Sequence, residues 1–352
     1  MDTSFDVIVI GLGAFGAATT YQLAKAGARV LGLDRYSPPH IYGSTHGETR
    51  ITRLACGEGP EYTPFARHSH EIWRDFERAT GETLLKQNGL LVISGPGKRA
   101  AAHGKEDFLA STTAIARAHD VAHERLDDAA IRARFPAFAI ADGDEAYFEP
   151  EAGYCFPERC ITVQLDAARR LGATLHTGET VASFAKDGTG VRVVTDQSEY
   201  RAAHLVIAAG PWLPQLVPSL ARRFKIRRQV LVWFRVADDV PIAHFQPDRF
   251  PVFYWQVPRS QAIYGFPSID GRTLKVATGE ILAGANDLSE RTTRQASTIE
   301  ETSAAMEQLA ATVADNAGKA EDAAVRIQSA AQLADEGGRV MDRAGDFMAR
   351  LA

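Results

Sequence analysis

The sequence predicts an α/β fold: a Rossmann-like dinucleotide-binding domain interrupted by a mostly antiparallel β-sheet domain, then a long coiled-coil-type helix. Three observations carry the prediction. The chain opens on an apolar strand, a glycine turn and a helix, Val7-Ile8-Val9-Ile10-Gly11-Leu12-Gly13-Ala14-Phe15-Gly16. Apolar runs alternate with helical patterns at first and later succeed one another as strands. Near Gly279 the composition changes abruptly.

In the opening stretch, four apolar residues read as a buried strand, and G-x-G-x-x-G turns the chain into a helix that runs to about Ala26 and stops at Gly27. Gly11 permits the turn, Gly13 admits a pyrophosphate to the backbone, and Gly16 lets helix and strand approach. The free N–H groups at the helix start, around Ala14 and Phe15, suit a doubly charged phosphate bridge. Residues 29–33 read as a second parallel strand. It ends in Asp34, at the spacing where a ribose hydroxyl needs an acceptor.

Residues 35–52 read as a loop, containing Ser37-Pro38-Pro39 and then Gly43-Ser44-Thr45-His46-Gly47-Glu48-Thr49-Arg50. Small, polar and cationic residues gather in this way where a loop wraps a ligand. A helix is expected over residues 64–79, with Ile72, Trp73 and Phe76 on its apolar face, then a strand over 89–94 and a helical region over 98–134. Residues 147–157 read as extended and 161–171 as a helix closed by Gly172. Strands are expected at 173–176 and 191–195. The run His204-Leu205-Val206-Ile207-Ala208-Ala209-Gly210 reads as a buried strand that delivers Gly210 to a ligand edge. Strands at 230–236, 252–256 and 262–266 suggest an antiparallel sheet. The expected limits are 1–90 with 149–218 for the nucleotide domain, 91–148 with 219–278 for the second domain, and 281–352 for the tail.

Bulk properties exclude several classes. The 352 residues suffice for two domains and a large core. Residues 281–352 hold 7 Lys/Arg and 12 Asp/Glu, so the whole net charge of −5 lies there and the remainder is balanced. Neither part shows a basic face for nucleic acid. Three cysteines, Cys56, Cys155 and Cys160, suggest a reducing compartment, and their spacing fits no metal site. The acidic start with no signal peptide or membrane segment points to the cytoplasm.

Beyond Gly279 the apolar positions keep a seven-residue step. One series is Ile299, Met306, Val313, Ala320, Ile327, Ala334, Met341 and Met348. Residues 281–352 contain no Pro, Trp, Tyr, Cys or His. Sustained heptads imply a helix that seeks partner helices, and hence self-association.

Residues 1–278 resemble the monomeric sarcosine oxidase and N-methyl-tryptophan oxidase family. The resemblance rests on Gly11-Leu12-Gly13-Ala14-Phe15-Gly16, on Ser44-Thr45-His46-Gly47-Glu48-Thr49-Arg50-Ile51-Thr52-Arg53 with Gly57-Glu58-Gly59, and on Tyr264-Gly265-Phe266-Pro267-Ser268 running to Leu274-Lys275. It implies FAD, oxidation of a small secondary amino acid beside its nitrogen, and reoxidation by O₂ to H₂O₂. By motif, Arg53 corresponds to the arginine that binds the substrate carboxylate, a task suited to a guanidinium fork. Arg50 and His46 correspond to residues at the flavin face, Lys275 to the lysine that assists oxygen reduction, and Tyr264 to an aromatic of the substrate pocket. Gly43, Ser44 and Thr45 join the glycine turn and Asp34 in holding the cofactor. Gly279 stands where the family has a histidine, and the family's flavin-linking cysteine has no counterpart, so the expectation is non-covalent, weak FAD binding and little turnover.

Residues from 281 on resemble a bacterial chemoreceptor signalling domain, through Asn286-Asp287-Leu288-Ser289-Glu290-Arg291-Thr292 and Gln295-Ala296-Ser297-Thr298-Ile299-Glu300-Glu301-Thr302 to Met306-Glu307-Gln308-Leu309. That resemblance implies methylation-like positions at Glu301 and Gln308 and a chimeric chain.

Overall fold

The structure is a computed structural model that describes residues 4–96, 107–224, 226–227, 229–257, 261–278 and 337–338. The chain divides into two units, Met1–Leu282 and Ala283–Ala352. The strands, helices and sites described all belong to the first. The heptad series, Glu301 and Gln308 lie outside the described residues.

In chain order the first unit contains β1 (Ser4–Ile10), α1 (Ala14–Lys25), β2 (Val30–Asp34), β3 (Arg50–Thr52), α2 (Tyr62–Thr80), β4 (Leu85–Lys86) and β5 (Leu90–Ser94). Next come α3 (Phe108–Ala118), β6 (Glu124–Leu126), α4 (Asp128–Arg134), β7 (Glu145–Glu149), β8 (Gly153–Cys155) and α5 (Pro157–Arg170). The rest are β9 (Thr174–Thr177), β10 (Val181–Asp187), β11 (Gly190–Thr195), β12 (Glu199–Ile207), α6 (Leu213–Leu216), β13 (Leu231–Arg235), β14 (Val252–Val257), β15 (Gln261–Gly265) and β16 (Thr273–Thr278).

Among the described residues these strands form three sheets. The first has the order β10-β11-β12-β1-β2-β9, with β12, β1, β2 and β9 parallel and the β10–β11–β12 flank antiparallel. Alternation along β1 explains why both faces are covered. Val7 and Val9 face α1 and α5, meeting Ala17, Ile161 and Leu165. Ile8 and Ile10 face the other way, into a core with Leu31, Leu33, Val193 and Tyr200. A strand buried on both sides reads as an unbroken apolar run, as this one does. Each such side chain contributes roughly 1.5–3 kcal/mol on burial.

The second sheet has the order β13-β16-β15-β14-β5-β7-β6. Its pairs are antiparallel except β14 with β5, which is parallel, so the expected antiparallel sheet has one parallel joint. β5 sits centrally with the same two-faced pattern. Leu90 and Val92 pack with Phe108 and Leu109 of α3, while Leu91 and Ile93 pack with Ile131 of α4 and with Phe135 and Phe138. The third sheet, β3-β8-β4, is small and antiparallel.

The helical region expected over 98–134 is corrected. Its described part is α3, then strand β6, then α4. Asp120 takes φ 51 and ends the first helix, Glu124-Arg125-Leu126 pairs with β7, and the Asp127 side chain caps the second helix by accepting from Ala130 N at 2.8 Å. Alanine and arginine favour helix, but a paired strand and an N-cap outweigh that preference locally. The extended segment over 147–157 breaks at Pro150-Glu151 into β7 and β8, and α5 begins at Pro157, four residues before the expected Ile161. Proline suits a first helical position because its missing N–H would have had no partner there.

Candidate active site

Two groups of residues gather in the first unit, one at the parallel sheet and one where β3 meets the second sheet.

At the first, the chain leaves β1 through Gly11, which has φ 89 and receives no side chain because a Cβ there would lie 2.4 Å from Ala208 O. Gly16 is equally constrained, its Cβ position falling 1.7 Å from Gly11 O. Gly13 differs. A Cβ there would meet only Thr45 Oγ1, at an ordinary 3.6 Å, so the protein's own packing leaves room at this residue. Gly13 is also the N-cap of α1 and offers no side chain to its first-turn N–H groups. Ala14 N donates a long bond of 3.4 Å to Thr45 Oγ1, and Phe15 is exposed. An open helix start with space above it is a cradle for a diphosphate.

The adjoining cavity has a volume of about 710 Å³ and is lined by Gly11, Gly13, Ala14, Phe15, Asp34, Gly43, Ser44, Thr45, Ala209 and Gly210 among others. It thus collects every nucleotide-binding residue expected from the sequence except Gly16, which lies behind the turn. The Asp34 carboxylate reaches the cavity while one oxygen accepts from Leu12 N and the other from Tyr36 N, both at 2.8 Å. Those bonds tie the second strand to the glycine turn. Sequence spacing does not suggest that Arg35, His40 and Trp212 line the cavity together, with the Arg35 guanidinium over the Trp212 ring and over Tyr36, which packs against His40 and Trp212. These features fit FAD: room at Gly13, the first-turn N–H groups of α1, an acceptor at Asp34 and aromatic side chains beside it.

The second group is built on the loop after residue 43. Arg50 begins β3, opposite Cys155 of β8, and its guanidinium folds back to donate to Ser44 O at 2.5 Å and His46 O at 3.3 Å. The loop is held from outside as well. Glu158, in the first turn of α5, accepts from Gly47 N at 2.6 Å and Glu48 N at 3.0 Å. Lys275, on β16 between β13 and β15, is 4% exposed and donates to Gly47 O at 2.5 Å, Thr49 O at 2.6 Å and Thr49 Oγ1 at 3.1 Å. It is therefore not a strand-edge lysine in water. Burial, reinforced by the Arg50 charge, pushes the Lys275 ammonium down to about 8.

Arg53 lies just after β3 and pairs with both oxygens of Glu58, the second at 2.6 Å. Burial opposes its charge, but Glu58 more than restores it, and the guanidinium is held above its usual range. Tyr264 of β15 stands opposite Tyr254 of β14, and both rings pack against the core that includes Leu54, Ala55 and Phe266. Burial raises both phenols, opposed by Arg50 at Tyr264 and by Arg53 at Tyr254. Tyr264 meets the Phe266 ring edge-on at 6.4 Å, and Lys275 Nζ lies 4.4 Å from the same ring centre. Sequence reasoning singles out neither Tyr254 nor the carboxylates Glu149 and Glu158. Among the described residues no cluster of His, Cys, Asp and Glu could hold a metal ion. The three cysteines are free, and none lines the cavity.

Comparison with known proteins identifies the architecture. The FAD dependent oxidoreductase family matches residues 6–344. The chain belongs to that family. The match does not stop at Gly279, where the sequence changes character. The chain is 38% identical over 274 residues to a monomeric sarcosine oxidase of Streptomyces avermitilis, covering 78% of this chain and 69% of that protein. It is 33% identical over 264 residues to an N-methyl-L-tryptophan oxidase of Salmonella heidelberg, covering 75% and 67%. Among solved structures, the open form of NikD, an unusual amino acid oxidase essential for nikkomycin biosynthesis, aligns with a TM-score of 0.64 at 26% identity over 79% of this chain and 70% of its own. Glycine oxidase from Geobacillus kaustophilus shares the fold, with a TM-score of 0.57 at 18% identity over 78% and 72%. The expected α/β flavoprotein architecture thus stands. No helix among the described residues is long and apolar enough to cross a membrane.

Proposed function

We propose that this protein oxidises a small secondary amino acid, of the sarcosine or N-methyl amino acid type, at the carbon beside nitrogen, with O₂ as final acceptor and H₂O₂ as product. One observation carries the reading. Arg53 is held by a single carboxylate, Glu58, in a half-buried position beside Tyr254, so it keeps donor capacity for a second anion. When bound, FAD supplies the two-electron acceptor. Arg53 binds the substrate carboxylate through charge-assisted bonds, and the Tyr254–Tyr264 pair excludes water beside the amine. We assign His46 and Arg50 to the flavin face of the loop. Lys275 holds positive charge there, where reduction of O₂ develops negative charge.

The flavin is held without a covalent bond, since no cysteine lines the cavity. Gly279 in place of the family's histidine supports slow turnover. For the tail, the heptad series supports self-association through helices, read by the solution mass of the purified protein.

The test is anaerobic addition of sarcosine and N-methyl amino acids to the FAD-loaded protein. Bleaching of the flavin absorbance, then stoichiometric H₂O₂ on admitting air, is the expected result. Unchanged absorbance with every N-methyl amino acid would exclude the reading.

A further inference from the structure

Glu149 closes β7 and is completely buried, at 0% exposure. A carboxylate removed from water costs several kcal/mol unless donors surround it. Glu149 has three. Leu54 N donates at 2.6 Å to one oxygen, and Ala55 N at 3.2 Å and Tyr147 Oη at 2.7 Å donate to the other. All three are donors and none is a cation, so the group is not half of a buried ion pair. Tyr147, also fully buried, is itself fixed against the His123 ring at 5.4 Å.

The two backbone donors belong to the residues directly after Arg53. Glu149 therefore grips the peptide from which the Arg53 side chain departs, across 95 residues of sequence. Burial raises the Glu149 carboxyl above its usual range, opposed by its bonds from Leu54 N, Tyr147 Oη and Ala55 N and by the Arg53 charge. A neutral core would pack this site at less cost, so the carboxylate needs a purpose beyond filling space.

We propose that Glu149 is a positioning residue for substrate recognition: by accepting from Leu54 N and Ala55 N it fixes the direction in which Arg53 presents its guanidinium to the substrate carboxylate. It touches neither substrate nor cofactor. This role deepens the proposed amine oxidation and rests on it for the identity of the anion. Charge-assisted bonds from a guanidinium fork to a carboxylate are directional, so a misdirected Arg53 weakens substrate binding, while the flavin chemistry, which Glu149 does not touch, is left in place.

Glu149→Gln keeps the shape but turns an N–H₂ toward one of the backbone donors. In the FAD-loaded full chain it should raise the KM for sarcosine at least tenfold while kcat stays within twofold and FAD content is retained. A second readout needs no turnover. Cys56 lies three residues beyond Arg53; burial raises its thiol, the Glu58 and Glu149 charges add to this, and Arg53 opposes it. Removing the Glu149 charge should therefore speed alkylation of Cys56 by iodoacetamide at pH 7.5 at least threefold, measured on the Cys56 peptide. Should Glu149→Gln fail to fold, Tyr147→Phe strips one donor from the carboxylate and should raise KM about threefold. An unchanged KM, a kcat that falls in parallel with binding, or an unchanged Cys56 alkylation rate overturns the proposal. Wild-type protein that turns over no N-methyl amino acid refutes the functional reading alone, and the affinity of wild type and Glu149→Gln for acetate as a carboxylate probe, read from the flavin spectrum, then decides the role of Glu149: equal affinities overturn it.

Discussion

Lys275 shows how one buried charge ties sequence to chemistry. Its ammonium points at three oxygens of residues 47 and 49 and lies 4.4 Å from the Phe266 ring centre. Burial lowers it to about 8, so the side chain is charged below that pH and neutral above it. If positive charge at this position assists the reduction of O₂, flavin reoxidation should be constant below pH 8 and decline above it. Lys275→Met should lower the reoxidation rate on the order of a hundredfold and remove the bend. Stopped-flow reoxidation across pH 6.5–9.5 reads both, and a bend retained in Lys275→Met would assign it to another group. His70 works in the opposite range. It is buried on α2 with its Nε2 2.7 Å from Thr52 Oγ1, and burial, aided by Arg74, lowers its pKa. Between that lowered value and about 6.5 the unfolded chain binds more protons than the folded one, so stability is full above pH 6.5 and falls as pH drops below it. The slope is at most about 1.4 kcal/mol per pH unit. Urea titrations at pH 7.5 and 5.5 should show the loss in wild type and a smaller one in His70→Gln.

At the scale of elements, the glycine turn makes a prediction that separates structure from binding. Gly16→Ala places a methyl group against Gly11 O and should destabilise the fold by roughly 1–3 kcal/mol. Gly13→Ala meets only ordinary contact with Thr45, so the apoprotein should melt as wild type does while FAD affinity drops. Thermal melts with and without FAD distinguish the two, and equal losses of stability would show that the space above Gly13 is not a ligand cradle. Legibility in the sequence obeys the same division. β1, α1 and β2 are readable because a buried parallel strand is an unbroken apolar run and the glycine spacing fixes the turn and the helix after it. β10 escapes notice because it is mostly exposed and its only large apolar residues are Val181 and Phe184. Its signal is the turn Asp187-Gly188, where Gly188 takes φ 60 and joins β10 to β11 as a hairpin. His46, Arg50 and Arg53 are legible as a motif within one stretch, and Lys275 through the separate run from Tyr264 to Lys275. Glu149 and Glu158 are not, since a single acid 94 to 111 residues from its partners leaves no local pattern.

Across the first unit, the parallel sheet carries the glycine turn and its cavity, and the second sheet brings Lys275 to Gly47 and Thr49 and packs Tyr254 and Tyr264 against a core that includes Leu54 and Ala55. The loop is held from several elements: Glu158 on α5, Lys275 on β16 and Glu149 on β7 each grip its backbone. Such an arrangement resists local opening, because releasing any one stretch leaves buried charges without partners. The cavity itself is different. At the start of α1 the Ala14 N–H has only a long bond of 3.4 Å to Thr45 Oγ1, so a ligand anion gains there, and FAD should stabilise the folded state by mass action without a covalent bond. At free FAD a hundredfold above Kd the gain is about 2.7 kcal/mol, enough for a rise of a few degrees in Tm. The rise should grow with the logarithm of FAD concentration, and gel filtration in denaturant should return colourless protein with all flavin in the small-molecule fraction. Flavin that stays with the denatured chain would mean that one of Cys56, Cys155 or Cys160 reaches the ring after all, against their placement away from the cavity.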